Sequence, residues 1–291
     1  VITGEDKVDY LIIELSSFQL HWSEKLCLDS AAILNIADDH LDWHGSFIEY
    51  LAAKKRITNG AKQIIINRDD RHLNGIEFKG DHKLVKFTLD APRPGEVGVV
   101  EELLVDRAFV DDPQEASVLA ELSDIKPQAP HNVANALAAM ALARSCGVKV
   151  ESISEGLRNF TPGHHRIEEV ENLSGIRWIN DSKATNPHAA NASLAAFSSI
   201  VWIAGGLAKG ADMEDLVKSK ASRLKAVLLI GTDRELISDA LTKHAPEIPK
   251  YLIDGDSSEE LMEKLIIKGM ELAVSGDVVC WHQPALPWIN L

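Results

Sequence analysis

At 291 residues, with 45% hydrophobic and 25% charged side chains, the chain is long enough for about two globular domains that each bury a core. No apolar run approaches the ~20 residues of a membrane-spanning helix, and no signal peptide opens the chain. Thirty basic against 44 acidic residues give a net charge of −14, which excludes a general nucleic-acid or membrane-surface role; an anionic ligand would have to meet locally placed Lys, Arg and helix N-termini.

The apolar run Tyr10-Leu11-Ile12-Ile13, closed by Glu14, reads as a parallel strand covered on both faces. Because the chain opens on Val1 and enters this run almost at once, its true start is expected upstream. Ala31 to Ile36 reads as a second strand, ending at Asp38-Asp39-His40. Phe47 to Ile57 reads as a helix and Gln63 to Asn67 as a third strand. From Phe87 to about Pro127, Pro92, Pro94, Gly95 and Gly98 break the pattern into short strands. Asn132 to Cys146 and Ser152 to Phe160 read as helices, and Phe160-Thr161-Pro162-Gly163 as a hinge.

Beyond the hinge, Ile176 to Ile179 ends a strand, a polar turn follows, and Asn186 to Phe197 reads as a helix. Strands at Ile200–Ala204 and Ala226–Ile230, helices from Asp233 and Ser257, and a strand at Asp277–Val279 complete the pattern. Alternation of β and α elements on both sides of the hinge predicts an α/β fold of two domains with mainly parallel sheets, residues 1–162 and 163–291. Cys27, Cys146 and Cys280 lie far apart without metal or disulfide spacing, as suits a reducing cytoplasm.

Chemistry-bearing residues gather at strand ends. Glu14 closes one strand, where α/β folds place ligand-binding groups; a solvated strand end is the alternative. Asp38, Asp39, His40 and Asp42 crowd another, and oxygen donors with one imidazole suit Mg²⁺ or Mn²⁺ better than structural zinc. On composition alone, Lys54 in Ala52-Ala53-Lys54-Lys55-Arg56 belongs to a basic surface face. The turn Asn180-Asp181-Ser182-Lys183-Ala184-Thr185 points backbone N–H groups, an ammonium and two hydroxyls beyond the sheet edge, which suits an anion, or simply caps the next helix. Lys209 sits in the Gly-rich loop Gly205-Gly206-Leu207-Ala208-Lys209-Gly210. That loop is not a Walker A motif, which the chain nowhere contains.

In order, Glu14-Leu15-Ser16-Ser17-Phe18-Gln19-Leu20, Asp39-His40-Leu41-Asp42, Ala52-Ala53-Lys54, His131-Asn132 with Asn135, His165-Arg166 with Glu168, and Asn180-Asp181-Ser182-Lys183-Ala184-Thr185-Asn186 resemble the Mur ligase family over residues 8 to 279. The first and last blocks are similar to the branch that adds D-glutamate to the peptidoglycan precursor. The resemblance implies an ATP-dependent ligase in which a carboxylate of UDP-N-acetylmuramoyl-L-alanine is phosphorylated and the amine of D-glutamate displaces the phosphate. It implies Mg²⁺ (or Mn²⁺) held by Glu14 and His40, supported by a CO₂-derived carbamate on Lys54. Lys54, His40 and Lys183 become the catalytic candidates. Asn135, Arg166, Asp181 and Lys183 are placed on ATP, Ser17 and Gln19 on the muramoyl path, and Thr185 and Lys209 on D-glutamate. The partners are thus small molecules, with no nucleic acid and no membrane insertion, and a monomer is expected.

The family's phosphate loop and UDP-binding domain are expected to precede Val1, so that this chain alone would be inactive. The tail from Cys280 to Leu291, with two tryptophans and two prolines, is a poor continuation of an α/β domain. Codons allowed for it, read one base upstream, encode the family-like string Leu-Leu-Ala-Pro-Ala-Cys-Ala-Ser-Met-Asp-Gln-Phe. A frameshift near Val279 is therefore expected. The alternatives are a sister amino-acid ligase of the folylpolyglutamate synthase kind, or a non-catalytic nucleotide- or partner-binding fragment.

Overall fold

The computed structural model describes residues 8–24, 26–78, 80–112, 114–205, 213–232 and 234–282. The first sheet has six strands in sequential order: β1 (Ser30–Ile33), β2 (Gln63–Asn67), β3 (Lys83–Phe87), β4 (Glu96–Val100), β5 (Leu103–Asp106) and β6 (Ser117–Glu121). Strands β1 to β4 run parallel. With this sheet come α1 (Ser17–Trp22), α2 (Leu41–His44), α3 (Phe47–Lys55), α4 (Pro130–Ser145) and α5 (Val150–Asn159). Helix α3 shows how local chemistry sets an element. Ser46 caps it by accepting the Glu49 N–H at 3.2 Å, Glu49 lies in the first turn, and Lys54 and Lys55 lie in the last, each matched to the helix dipole.

The second sheet also has six strands: β7 (Glu168–Leu173), β8 (Ile176–Asn180), β9 (Ile200–Gly205), β10 (Leu224–Ile230), β11 (Lys250–Leu252) and β12 (Val278–His282), in the order β11-β10-β9-β12-β8-β7. All of its pairings are parallel except β7 with β8. Its helices are α6 (Pro187–Leu194), α7 (Glu214–Lys220), α8 (Arg234–His244) and α9 (Ser258–Leu272). Strand periodicity sorts β9 between two cores. Ile200, Trp202 and Ala204 pack with Leu194, Val217 and Leu241 of α6, α7 and α8, while Val201 and Ile203 pack on the other face with Leu265 of α9.

The chain divides into two compact units, one of Val1–Val100, Val105–Val118 and Leu137–Val150, the other of Glu101–Leu104, Leu119–Ala136 and Glu151–Leu291. In the first, Asp106 is fully buried. Its Oδ1 accepts the Ala108 and Phe109 N–H groups at 2.8 and 2.9 Å, and its Oδ2 accepts Arg144 Nε at 3.0 Å. Arg144 also donates to the carbonyls of Val148 and Phe109.

Two expectations need correction. Tyr10 to Ile13 forms no strand, and Ile12 is 91% exposed. A parallel strand is held by a non-local ladder, and none of the described strands pairs with this run, so its apolar character alone does not make it a strand. The second strand is shorter than Ala31 to Ile36, spanning Ser30–Ile33. At the other end, β12 continues through Cys280 and Trp281, paired on both sides, and His282, paired with β9, although these residues open the compositionally unsuited tail. Residues 283–291 lie outside the described part.

Gly205 ends β9 at φ +152, and a Cβ there would lie 1.8 Å from the Ile230 carbonyl oxygen. Gly205→Ala is expected to destabilise the second unit by about 1–3 kcal/mol, because backbone of the adjacent β10 must move. Urea unfolding checks this; an unchanged midpoint would show that the β9–β10 ends yield freely.

Candidate active site

The first unit places Glu14, Ser17, Gln19, His40 and Lys54 around one open cleft of about 340 Å³, together with Phe18, Asp39 and Tyr50. Helix α1 is started by a capping box: Ser16 Oγ accepts the Gln19 N–H, and Gln19 Oε1 accepts the Ser16 N–H at 2.9 Å. Gln19 therefore spends its oxygen on the helix start, leaving its amide N–H₂ for other work. Ser17 is buried, whereas Glu14 and Gln19 are exposed to a greater degree.

His40 is in the left-handed region at φ 53 and makes no side-chain cap to α2, so its imidazole is not committed to the helix. Its backbone N–H donates to Asp39 Oδ1 at 3.0 Å, and its ring lies 4.8 Å from that of Phe18. Lys54 and Tyr50 are one turn apart on α3 and share a face, with the ammonium 5.9 Å from the ring centroid. Burial draws the Lys54 pKa below that of an ordinary lysine, against the opposing pull of Asp39 and Glu14. Burial, aided by the Asp39 charge, pushes Tyr50 up to about 12. Lys54 is thus not the solvated surface cation that composition alone suggests.

Among the described residues, no three His, Cys, Asp or Glu side chains form a metal-binding group. Mg²⁺ retains most of its water and binds through one or two protein oxygens, so the oxygen-rich donors of this cleft, with one imidazole, fit it in kind.

The second unit carries a separate polar cluster around Asp181, itself only 5% exposed. Its Oδ1 accepts the Ile167 N–H at 3.0 Å, and its backbone N–H donates to the Trp281 carbonyl at 2.9 Å. His282 Nε2 lies 3.1 Å from Oδ2, within ion-pair distance but without hydrogen-bond geometry. His282 is committed elsewhere: Trp202 Nε1–H donates to its Nδ1 at 3.0 Å, so its proton sits on Nε2, which faces Ser193 Oγ. Cys280 beside it is fully buried, and burial with the Asp181 charge pushes its thiol pKa well up, which makes it inert.

His131 and Asn135, one turn apart on α4, belong to the same unit. Burial lowers the His131 pKa, opposed by the Asp181 carboxylate, and its Nδ1 has no hydrogen-bond partner among the described residues. Arg166 is exposed between His165 at φ 65 and Ile167 at φ 49, two left-handed non-glycine residues that fix its direction at a conformational cost. Asn180 Nδ2 and His165 Nδ1 are 2.8 Å apart, and the Lys183 N–H donates to the His165 carbonyl at 3.1 Å. Asn186, read from sequence as the first residue of the helix, is its cap, accepting the Ala189 N–H, with Pro187 in the first turn. Lys183 and Thr185 are exposed on the turn before it. Lys209 lies outside the described residues.

Sequence reasoning missed Tyr50, His44 and His282. No spacing marks a buried imidazole among aromatics, and His282 stands in a stretch whose composition argued against structure.

Two largely parallel six-stranded sheets, one associated with a carboxylate–imidazole–lysine cleft and the other with an Asp-Lys turn at a strand end, define a two-part α/β fold of the nucleotide-ligase kind. The chain belongs to the Mur ligase family, ATP-dependent ligases that form amide bonds: the Mur ligase middle domain matches residues 3–143 and the Mur ligase glutamate ligase domain residues 165–282. It is 52% identical over 281 residues to the UDP-N-acetylmuramoylalanine--D-glutamate ligase of Thermobifida fusca, covering 95% of this chain and 60% of that protein. It is 50% identical over 285 residues to the protein of the same name from Streptomyces avermitilis, covering 96% and 61%. The chain thus spans about three fifths of the length of these relatives.

Among solved structures it is similar in fold to a pseudomurein peptide ligase type C from Methanothermus fervidus, with TM-score 0.67 and 18% identity over 88% of this chain and 61% of that one. It also resembles MurF from Acinetobacter baumannii, with TM-score 0.66 and 19% identity over 92% and 58%. No helix of the described residues is long and apolar enough to cross a membrane.

Proposed function

We propose that this chain carries the ATP-dependent joining of D-glutamate to UDP-N-acetylmuramoyl-L-alanine in peptidoglycan precursor synthesis. The observation that carries this reading is the identity of about half its residues, along nearly its whole length, to ligases named for that reaction. The cleft gives it a chemical basis. A substrate carboxylate oxygen attacks the γ-phosphorus of ATP, releasing ADP. The amine nitrogen of D-glutamate then attacks the acyl phosphate, the C–O bond to phosphate breaks, and an amide forms as phosphate leaves and the amine loses its proton.

Both steps crowd anionic oxygens together, so positioned cations and donors supply most of the stabilisation. Glu14 and His40 would hold Mg²⁺, whose charge neutralises phosphoryl oxygens. Lys54, its amine made more available in neutral form by burial, adds to CO₂ and loses a proton to give a carbamate that supports the metal side of the cleft. Asn135, Arg166 and Asp181 hold the adenine and ribose, Lys183 the phosphate or acyl phosphate, and Thr185 and Lys209 the incoming D-glutamate. Ser17 and Gln19 line the muramoyl path. On this reading the domains divide at residues 162 and 163, and the protein acts as a cytoplasmic monomer.

The experiment is D-[¹⁴C]glutamate incorporation into the sugar-nucleotide with coupled ADP release. It uses this chain and a chimera in which the Thermobifida fusca ligase supplies the segments the chain does not span. Incorporation by the chimera that requires both ATP and the alanyl sugar-nucleotide is expected. A chimera that folds yet transfers no D-glutamate, or prefers L-glutamate on a folate acceptor, would overturn the reading.

A further inference from the structure

His44 sits behind the cleft wall and is 8% exposed. Its ring stacks on Phe18 with centroids 5.7 Å apart and meets Tyr50 edge-on at 5.3 Å and Trp43 at 4.6 Å. Phe18 and Tyr50 both line the cleft. Its Nε2 lies 3.0 Å from Ser17 Oγ, and Ser17, though only 2% exposed, also lines the cleft. Its Nδ1 is buried without a hydrogen-bond partner among the described residues.

These facts fix the tautomer. One ring nitrogen of a neutral imidazole carries the proton, and an orphaned buried N–H is rarer and costlier than an orphaned lone pair. Nδ1 is therefore bare, Nε2 carries the proton, and Nε2–H donates to Ser17 Oγ. The hydroxyl proton of Ser17 must then point elsewhere. Ser17 is the first residue of α1, where no carbonyl of a preceding helical turn exists to accept it, and no other acceptor bonds it among the described residues.

We propose that His44 is a positioning residue that holds the Ser17 hydroxyl as a hydrogen-bond donor into the cleft, aimed at an anionic oxygen, carboxylate or phosphoryl, of the bound substrate. The assignment of the tautomer is independent of the ligase reading; the identity of the ligand rests on it.

The first test needs no variant beyond one used for assignment. Long-range ¹H–¹⁵N correlation spectra of the ¹⁵N-histidine-labelled chain show which nitrogen of His44 is protonated, with His44→Gln removing its signals. Protonation at Nε2 is expected; protonation at Nδ1 overturns the proposal. The second test titrates the chimera completed from the Thermobifida fusca ligase, as the parent protein, separately with UDP-N-acetylmuramoyl-L-alanine and with Mg·ATP. Ser17→Ala and His44→Phe, the latter keeping the aromatic packing, should each weaken one of the two ligands about 3- to 10-fold, as loss of one hydrogen bond does. The double variant should be no weaker than either single one. His44→Gln, whose amide nitrogen falls near the position of Nε2, should restore affinity. If the parent binds and both variants bind equally well, the positioning role is wrong while the ligase reading stands. If the parent binds neither ligand, both fall.

Discussion

Replacing Lys54 with alanine is expected to lower D-glutamate transfer by the completed ligase about 10²–10³-fold, the scale of losing one preorganised charge from a phosphoryl- or acyl-transfer site. The geometry gives the reason: Lys54 is half-buried in the cleft with Glu14, Asp39 and His40, and burial lowers its pKa. Two further substitutions separate an ammonium role from a carbamate role. Lys54→Arg keeps the positive charge, but a guanidinium cannot lose a proton, so this variant should fail as badly as alanine if a carbamate is needed. Lys54→Glu supplies a permanent anion and should retain more activity than alanine, without response to added bicarbonate.

The sign of the pH effect follows from the depressed pKa. The neutral amine, which alone adds to CO₂, is more abundant than in an exposed lysine at the same pH and grows as pH rises toward the lowered value. A ¹³C carbamate signal from labelled bicarbonate should therefore strengthen with rising pH and vanish on acidification. A fully active Lys54→Arg enzyme would sink the carbamate assignment outright.

The second large effect concerns stability. Arg144→Met should destabilise the first unit by about 3–5 kcal/mol, because it strands the fully buried carboxylate of Asp106 without its charge partner. It also frees the Val148 and Phe109 carbonyls that the guanidinium bonds. Asp106→Asn should cost less, since the amide oxygen can still accept the Ala108 and Phe109 N–H groups. Urea midpoints at constant slope measure both. An Arg144→Met protein that unfolds within about 1 kcal/mol of the parent would mean that the carboxylate finds water or a new donor.

The parts of the fold legible in the sequence are those written in local chemistry. The Asn186 cap with Pro187, the Ser46 cap of α3 and the apolar runs of β2, β9 and β10 each carry their instruction within a few residues. The run from Tyr10 to Ile13 has equally strong strand character but no described strand pairs with it, and pairing is not a local property. In the candidate site, Glu14, His40 and Lys54 stand out through motif order. That they share a cleft follows only from the fold, because 26 and 14 residues separate them in turn. His44 and His282 leave no trace in spacing. Their importance lies in which nitrogen is satisfied, a question that arises only once neighbours are placed.

Among the described residues, strand β1 pairs only with β2, so one row of its peptide groups faces no described ladder, and the stretch from Tyr10 to Ile13 is an exposed apolar surface in the same unit. Exposed edges of this kind invite intermolecular strand addition. What holds copies apart is their mutual repulsion at a net charge of −14. Colloidal behaviour is thus set by a contest between a short-range template and a long-range charge. Because the Debye length shrinks to about 3 Å at 1 M salt, the template gains the upper hand as ionic strength rises. The chain is therefore expected to stay dispersed in dilute buffer and to assemble in concentrated salt, the reverse of a protein held together by surface ion pairs; light scattering across a salt series checks this.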